Sequence, residues 1–341
     1  MHTPASTIAG VDGLSALLDG PRARRAFLLR ILLDPPWSVR LEDEAPLSVT
    51  TVVRGRMWVC PDGEEPVRLG AWDVVVWVGG DDWSIADDPG TSTQVVIHPG
   101  QVCTTVDGHV VVEEMAQGVR SWGNTGEGET VLLTGVYQLE GEVTRRLLRA
   151  LPRTMVLRAD ELDTPLIDLL GNEVVRDAPG QEAVLDRLLD LLLLTLLRTW
   201  FARSHTRAPG WYAAQGDAVV GPALRLMQHH PEHSWTVAGL ADRAGVSRAA
   251  FARRFTDLLG EPPMAFLTGW RIALAADLLL EPTATIASVA RQVGYGTPFA
   301  LSAAFKRERG VSPRDHRRGG GGATTSPAVA PKGWSSADRL R

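Results

Sequence analysis

Two cysteines in 341 residues, Cys60 and Cys103, leave no material for a disulfide framework. Buried strand cysteines usually behave as small apolar residues, so inert packing is expected of both, with a thiol switch as the alternative. Histidine is scarce where metal chemistry would need it: between residues 37 and 140 there are only His98, beside Pro99-Gly100, and His109, beside Gly108. Neither lies at ligand spacing from a second candidate, so both are expected in solvated loops, with no catalytic residue, metal or cofactor. Long apolar runs are missing too. The leucine-rich run 191–194 within 188–197 is closely flanked by Asp186, Arg187, Asp190 and Arg198 and is too short to span a bilayer. The first ten residues lack the basic and apolar regions of a signal peptide, so a cytoplasmic protein without a membrane partner is expected.

Hydrophobic residues make up 44% of the chain, enough for two or three ordinary cores at this length. The net charge of −5 hides an asymmetry. Residues 217–318 hold 13 Lys and Arg against 9 Asp and Glu, whereas residues 1–216 hold 19 against 30. A mildly basic module joined to an acidic one suits a nucleic-acid reader whose other domain stays off the phosphates.

In chain order, 14–18 and 26–32 form short amphipathic elements before Pro35-Pro36 breaks the pattern. From Trp37 the period is that of strands, with β-rich runs at 48–53, 56–60, 67–69, 73–78, 93–97 and 110–112 separated by Gly, Pro and Asp. Such spacing favours an antiparallel barrel or a double-sheet jelly roll. Trp58, Trp72, Trp77 and Trp83 crowd into one region, either as a ligand-holding mouth or as core. Helices are predicted over 161–170 and 181–203. The second is apolar around so much of its circumference that it must be covered on more than one side, by its own sheet or by a second copy in a homodimer. Residues 204–216 read as a linker rich in Pro, Gly and Ala, and residues from 319 onward as a disordered tail.

From Trp235 to Arg318 one structural idea is written twice. Ala241-Asp-Arg-Ala-Gly245 matches Ala290-Arg-Gln-Val-Gly294 at an offset of 49, and Phe255, Gly260 and Pro263 match Phe305, Gly310 and Pro313 at an offset of 50. Each copy has a short amphipathic helix, a glycine turn and a second helix with apolar residues at i and i+4. This is the helix-turn-helix pattern, whose second helix lies in the DNA major groove. In the first copy Phe251, Phe255 and Leu258 form the core face and Ala249, Ala252 and Arg253 the outer one; in the second, Leu301, Ala304 and Phe305 face in and Phe299, Ser302, Ala303 and Lys306 out. A helix over 264–280 joins the copies. It rises about 25 Å, placing the two readers roughly one DNA turn apart.

Trp235-Thr236-Val237, Gly245-Val-Ser247, Phe251-Ala-Arg-Arg-Phe255, Trp270-Arg271-Ile272-x-x-Ala275-Ala276-x-Leu278-Leu279, Gly294-Tyr295-Gly296 and Gly310-Val311-Ser312-Pro313 together resemble the AraC/XylS class of bacterial transcription regulators. Arg54-Gly55-Arg56, 69–77 and 132–137 resemble their cupin sensor domains. The resemblance implies a multidomain α+β chain: a cupin-like sensor at 12–157, a helical segment at 158–204, a linker at 205–216 and a double helix-turn-helix reader at 217–318. It also implies a ligand-responsive, sequence-specific regulator whose partners are double-stranded DNA, a small-molecule effector and RNA polymerase. Departures bear on mechanism. Trp83 stands where the cupin turn often carries histidine, Thr134 where related sensors often have cysteine, Ala303 where the second reader usually holds a base-contacting arginine, and His316 where tyrosine is usual.

Arg253 is the first choice for a base contact, because guanidinium pairs bidentately with guanine. Ala249, Ala252, Phe299, Ser302 and Ala303 are expected near base edges, and Arg248, Arg254, Lys306, Arg307 and Arg314 near phosphates. Trp58, Trp72, Trp77 and Trp83 are the candidate effector-binding residues. Two other classes compete: a cupin metal enzyme with an accessory DNA module, which the scarcity of histidine disfavours, and an architectural DNA binder whose barrel senses nothing.

Overall fold

The computed structural model describes residues 26–80, 82–137, 141–203 and 209–320. The amphipathic element expected at 14–18 and the tail beyond 320 lie outside the described residues. The described chain divides into two compact units, one of 26–137 with 151–203, the other of 141–150 with 209–320.

The first unit is built on two six-stranded sheets. One runs β10 (Ser121–Gly123), β1 (Phe27–Leu33), β11 (Thr130–Tyr137), β3 (Leu47–Arg54), β6 (Val74–Val78), β12 (Thr154–Leu157); the other β5 (Val67–Leu69), β4 (Met57–Pro61), β7 (Trp83–Ala86), β2 (Ser38–Leu41), β8 (Val95–His98), β9 (Val102–Thr105). All pairings are antiparallel except β1 with β10 and β2 with β8. The sheets stay open instead of closing into a barrel, which is the jelly-roll form of the expected architecture. Strand alternation sets the core: Met57 and Val59 point in while Trp58 and Cys60 point away, and Ile31, Val52, Ile85 and Leu132 join them between the sheets.

Residues 26–32 carry a period that permits a helix, yet they form β1, because pairing with both β10 and β11 buries Leu28, Leu29, Ile31 and Leu32 on two faces. The run at 110–112 makes only a single bridge, Val110 to Thr104.

Strand β11 is buried along its whole length, which requires a cover on each side. Its outer cover is α3 (Gln181–Ala202), preceded by α2 (Leu166–Glu173), while α1 (Glu142–Leu148) belongs to the other unit. Leu189 of α3 packs where a Cβ on Gly135 would stand 2.8 Å away, and its carbonyl accepts a 2.8 Å hydrogen bond from the buried Tyr137 hydroxyl. Val184 and Leu191 of the same helix stay exposed.

The second unit is helical: α4 (Gly210–Gln215), α5 (Val220–His229), α6 (Val237–Arg243), α7 (Arg248–Leu259), α8 (Pro263–Leu280), α9 (Ile286–Gln292), α10 (Pro298–Arg309) and α11 (Pro313–Gly320). The stretch that reads as linker thus contains a helix, held by the burial of Trp211 and Ala214. Among the described residues α8 is the one helix long and apolar enough to cross a membrane, but Phe266, Leu267, Trp270, Ile272, Ala276 and Leu279 are spent on the core of this unit.

Candidate nucleic-acid interface

The two repeats become two physically parallel motifs. Thr236 and Thr285 cap the first helices, accepting from Gly239 N at 3.1 Å and Ser288 N at 3.0 Å. Ser247 and Thr297 cap the second helices, accepting from Ala250 N at 3.2 Å and Ala300 N at 3.1 Å. Between them the turn glycines sit in the left-handed region, Gly245 at φ 68° and Gly294 at φ 81°. Each is followed by the same return bond, Val246 N to Ala241 O at 3.1 Å and Tyr295 N to Ala290 O at 2.8 Å. Helix α8 joins the motifs and, at 18 residues, rises about 27 Å.

Phe251 and Phe255 of α7, and Leu301 and Phe305 of α10, are wholly buried. That fixes the opposite faces outward. On α7, Arg248, Ala249, Arg253 and Arg254 are exposed and Ala252 is half-buried; on α10, Phe299 is 83% exposed, Ala303 is exposed and Ser302 is half-buried. The Ser302 hydroxyl donates to Pro298 O at 2.8 Å, so its proton is occupied within the helix. Lys306, Arg307 and Arg314 are exposed farther along.

The cations differ in freedom. Among the described residues the side chains of Arg248, Arg253, Lys306 and Arg314 have no hydrogen-bond or ion-pair partner. Arg254 clamps Asp217, with Nε 2.9 Å and Nη2 2.7 Å from Oδ2. The guanidinium holds the Asp217 carboxyl below its usual range, and the same carboxylate accepts from Val219 N and Val220 N at 2.9 Å each, at the start of α5. Arg307 rests against Glu308 at 3.1 Å. Three further groups hold the motif together: Arg271, which lies in the motif read from the sequence, His316, which stands where tyrosine is usual, and Arg317, which no motif singled out. Arg271 donates to Pro231 O at 2.7 Å and His233 O at 2.8 Å, Arg317 to Leu279 O at 2.9 Å and Ala284 O at 2.6 Å, and His316 lies 3.1 Å from Ala276 O.

In the sandwich the four candidate tryptophans separate. Trp77 and Trp83 stack across the core with centroids 4.7 Å apart and planes at 12°. Trp58 is half-buried on the outer side of β4, and Trp72 is 38% exposed in a turn at φ 70°. Trp37 and Trp122, not singled out from the sequence, are buried in the same core, and the indole N–H groups of Trp37, Trp77 and Trp122 find no acceptor among the described residues.

A cupin metal needs converging imidazole and carboxylate. Among the described residues no group of three His, Cys, Asp or Glu is placed to hold one. His98 is spent on Thr104 Oγ1 at 2.9 Å and His109 on Glu114 at 2.9 Å, so the residues present do not fit a metal. Burial pushes the Cys103 thiol up to about 11 and raises that of Cys60, which disfavours the reactive thiolate.

A cupin family model matches residues 12–202 and a helix-turn-helix domain model residues 240–319. The chain is 31% identical to an AraC-like transcription regulator of Streptomyces lividans over 90% of this chain and 98% of that one. It is 29% identical to another from Streptomyces antibioticus over 90% and 99%. Among solved structures it is similar to the DNA-binding domain of the global transcriptional factor AdpA in complex with a target DNA, at 33% identity over 30% of this chain and 93% of that one, with a TM-score of 0.29.

Proposed function

This chain belongs to the AraC-like transcription regulators, with a cupin domain followed by a helix-turn-helix reader, and from that premise we propose how it works. It is a DNA-binding regulator of transcription, and in our reading α7 and α10 enter successive major-groove segments on one side of the duplex. The observation that carries this is the pair of capped, glycine-turned motifs whose second helices are apolar inward and bare outward, joined by one core helix. Arg253, exposed and unpartnered among the described residues, reads a base, with Ala249 and Ala252 beside it. Phe299 and Ala303 offer thymine methyls an apolar surface, next to Ser302. Arg248, Lys306, Arg307 and Arg314 meet phosphates. Arg254 supports the first motif through Asp217, and its phosphate role is secondary to that.

The cupin sandwich acts as sensor and not as a catalyst. We read the stacked Trp77–Trp83 pair and the three unsatisfied indole donors as favouring an organic effector with hydrogen-bond acceptor atoms. Exposed Val184 and Leu191, one heptad apart on α3, favour a homodimer, and RNA polymerase is the expected partner of the DNA-bound regulator in the cytoplasm. Selection of DNA from a random pool by the full chain, with and without candidate effectors, tests this. Enrichment of a two-segment site whose affinity an effector shifts supports it, and failure to enrich any sequence refutes it.

A further inference from the structure

Helix α1 is misplaced by sequence. It lies between β11 and β12, both strands of the sensor sandwich, yet residues 141–150 group with the reader. Its seat there is specific. Asp277 of α8 accepts from the first free amides of α1, Glu142 N at 2.7 Å and Val143 N at 3.3 Å, so a reader carboxylate caps a sensor helix. Gly141 must be bare for this: it sits at φ 109°, and a Cβ would stand 3.1 Å from the Asp277 carboxylate. Glu142 itself is 9% exposed, and Arg309, the last residue of reading helix α10, donates to it from Nη2 at 2.6 Å. Farther along, Arg146 pairs with Glu261 at the head of α8 and lies 5.0 Å over the Phe266 ring, and it crosses α8 where Gly269 has no side chain to obstruct it. Val143, Thr144 and Leu148 of α1 are buried as well.

The arrangement does more than anchor a loop. Through Glu142 the joining helix α8 and the end of α10 are fastened to one another by a third element that belongs, by chain, to the sensor. We propose that α1 is a clasp: it holds the second reading helix in its DNA-binding orientation, and because it is inserted in the chain between β11 and β12, displacement of those strands loosens or tightens it. Glu142, Asp277 and Arg309 are positioning residues, since none is assigned to a base. The inference rests on the regulator reading above and supplies its missing link, a route by which the sandwich biases the reader's equilibrium.

The test uses the full chain and the DNA site it selects. Glu142→Ala and, from the other side of the seat, Asp277→Ala are compared with wild type by scanning base substitutions across both segments, with thermal melting followed in parallel. Each variant is expected to bind at least tenfold more weakly and to lose base preference in the segment read by α10 while keeping it in the segment read by α7. The double variant should lose little more than either single one, because both break one clasp. Unchanged affinity overturns the proposal. So does tighter binding with a steeper salt dependence, which would show that Glu142 merely masks Arg309 from phosphate. Equal losses in both segments, tracking lost stability, also overturn it, as they would mark a general brace. A wild-type chain that enriches no DNA refutes the regulator reading instead, so the two failures are distinct.

Discussion

Arg253 and Arg254 are neighbours in sequence with different duties. Of the two, Arg253 is outward and free of partners among the described residues, whereas Arg254 is committed to Asp217 and, through it, to the cap of α5. Arg253→Ala should therefore cost about 1–3 kcal/mol of specific binding and relax preference at one base pair. Arg254→Ala should lower thermal stability and leave base preference intact. Binding assays on the selected site and its point variants, with melting curves, separate the two; relaxed preference in Arg254→Ala would reverse the assignment. The outward faces were legible from helical spacing alone, because Phe251, Phe255, Leu301 and Phe305 could only face a core. The Arg254–Asp217 clamp was not, since nothing in the sequence brings residues 37 apart together. Likewise the strand position of Trp77 was legible, whereas strand β7, which begins at Trp83, fell in none of the predicted runs, and the stacking of the two rings across two sheets depends on which strands oppose each other.

The two glycine turns look alike in sequence and differ in surroundings. A Cβ on Gly245 meets nothing within 4 Å, whereas one on Gly294 would lie 2.6 Å from Pro231 O and 2.7 Å from Arg271 Nη2. Gly245→Ala should cost about 1–2 kcal/mol, the penalty of the left-handed backbone, and Gly294→Ala more, because it also displaces the Arg271 contacts. Denaturant melts of the full chain check the order, and equal losses would mean Arg271 gives way freely. On α3, Leu191→Glu should shift the protein toward monomer in sedimentation; an unchanged mass would place the dimer contact elsewhere or remove it. Helices with regular period and clear caps could be read from the chain. Strand β1 could not, because its period also fits a helix and only pairing on both sides decides. Helix α1 escaped for a related reason: seven residues carry too little pattern, and what stabilises them is Asp277, more than a hundred residues away.

Two units of opposite charge balance share one chain, the acidic sandwich and the mildly basic reader. Reading by a few free cations and apolar faces predicts a specificity that is uneven along the site. The first motif brings Arg253, while the second has Ala303 at the corresponding place and an exposed Phe299. The salt dependence should be modest too, since only Arg248, Lys306, Arg307 and Arg314 are assigned to phosphates, which corresponds to a slope of about −3.6 in log affinity against log salt for the two motifs together. The most direct measurement is base-by-base substitution across the site that the full chain selects from random DNA. Two segments centred about 10–10.5 base pairs apart are expected, the one read by α7 with sharp penalties at a G·C pair that vanish in Arg253→Ala, and the other with shallower penalties. A single segment, or equal penalties in both halves that Arg253→Ala leaves untouched, would contradict the account.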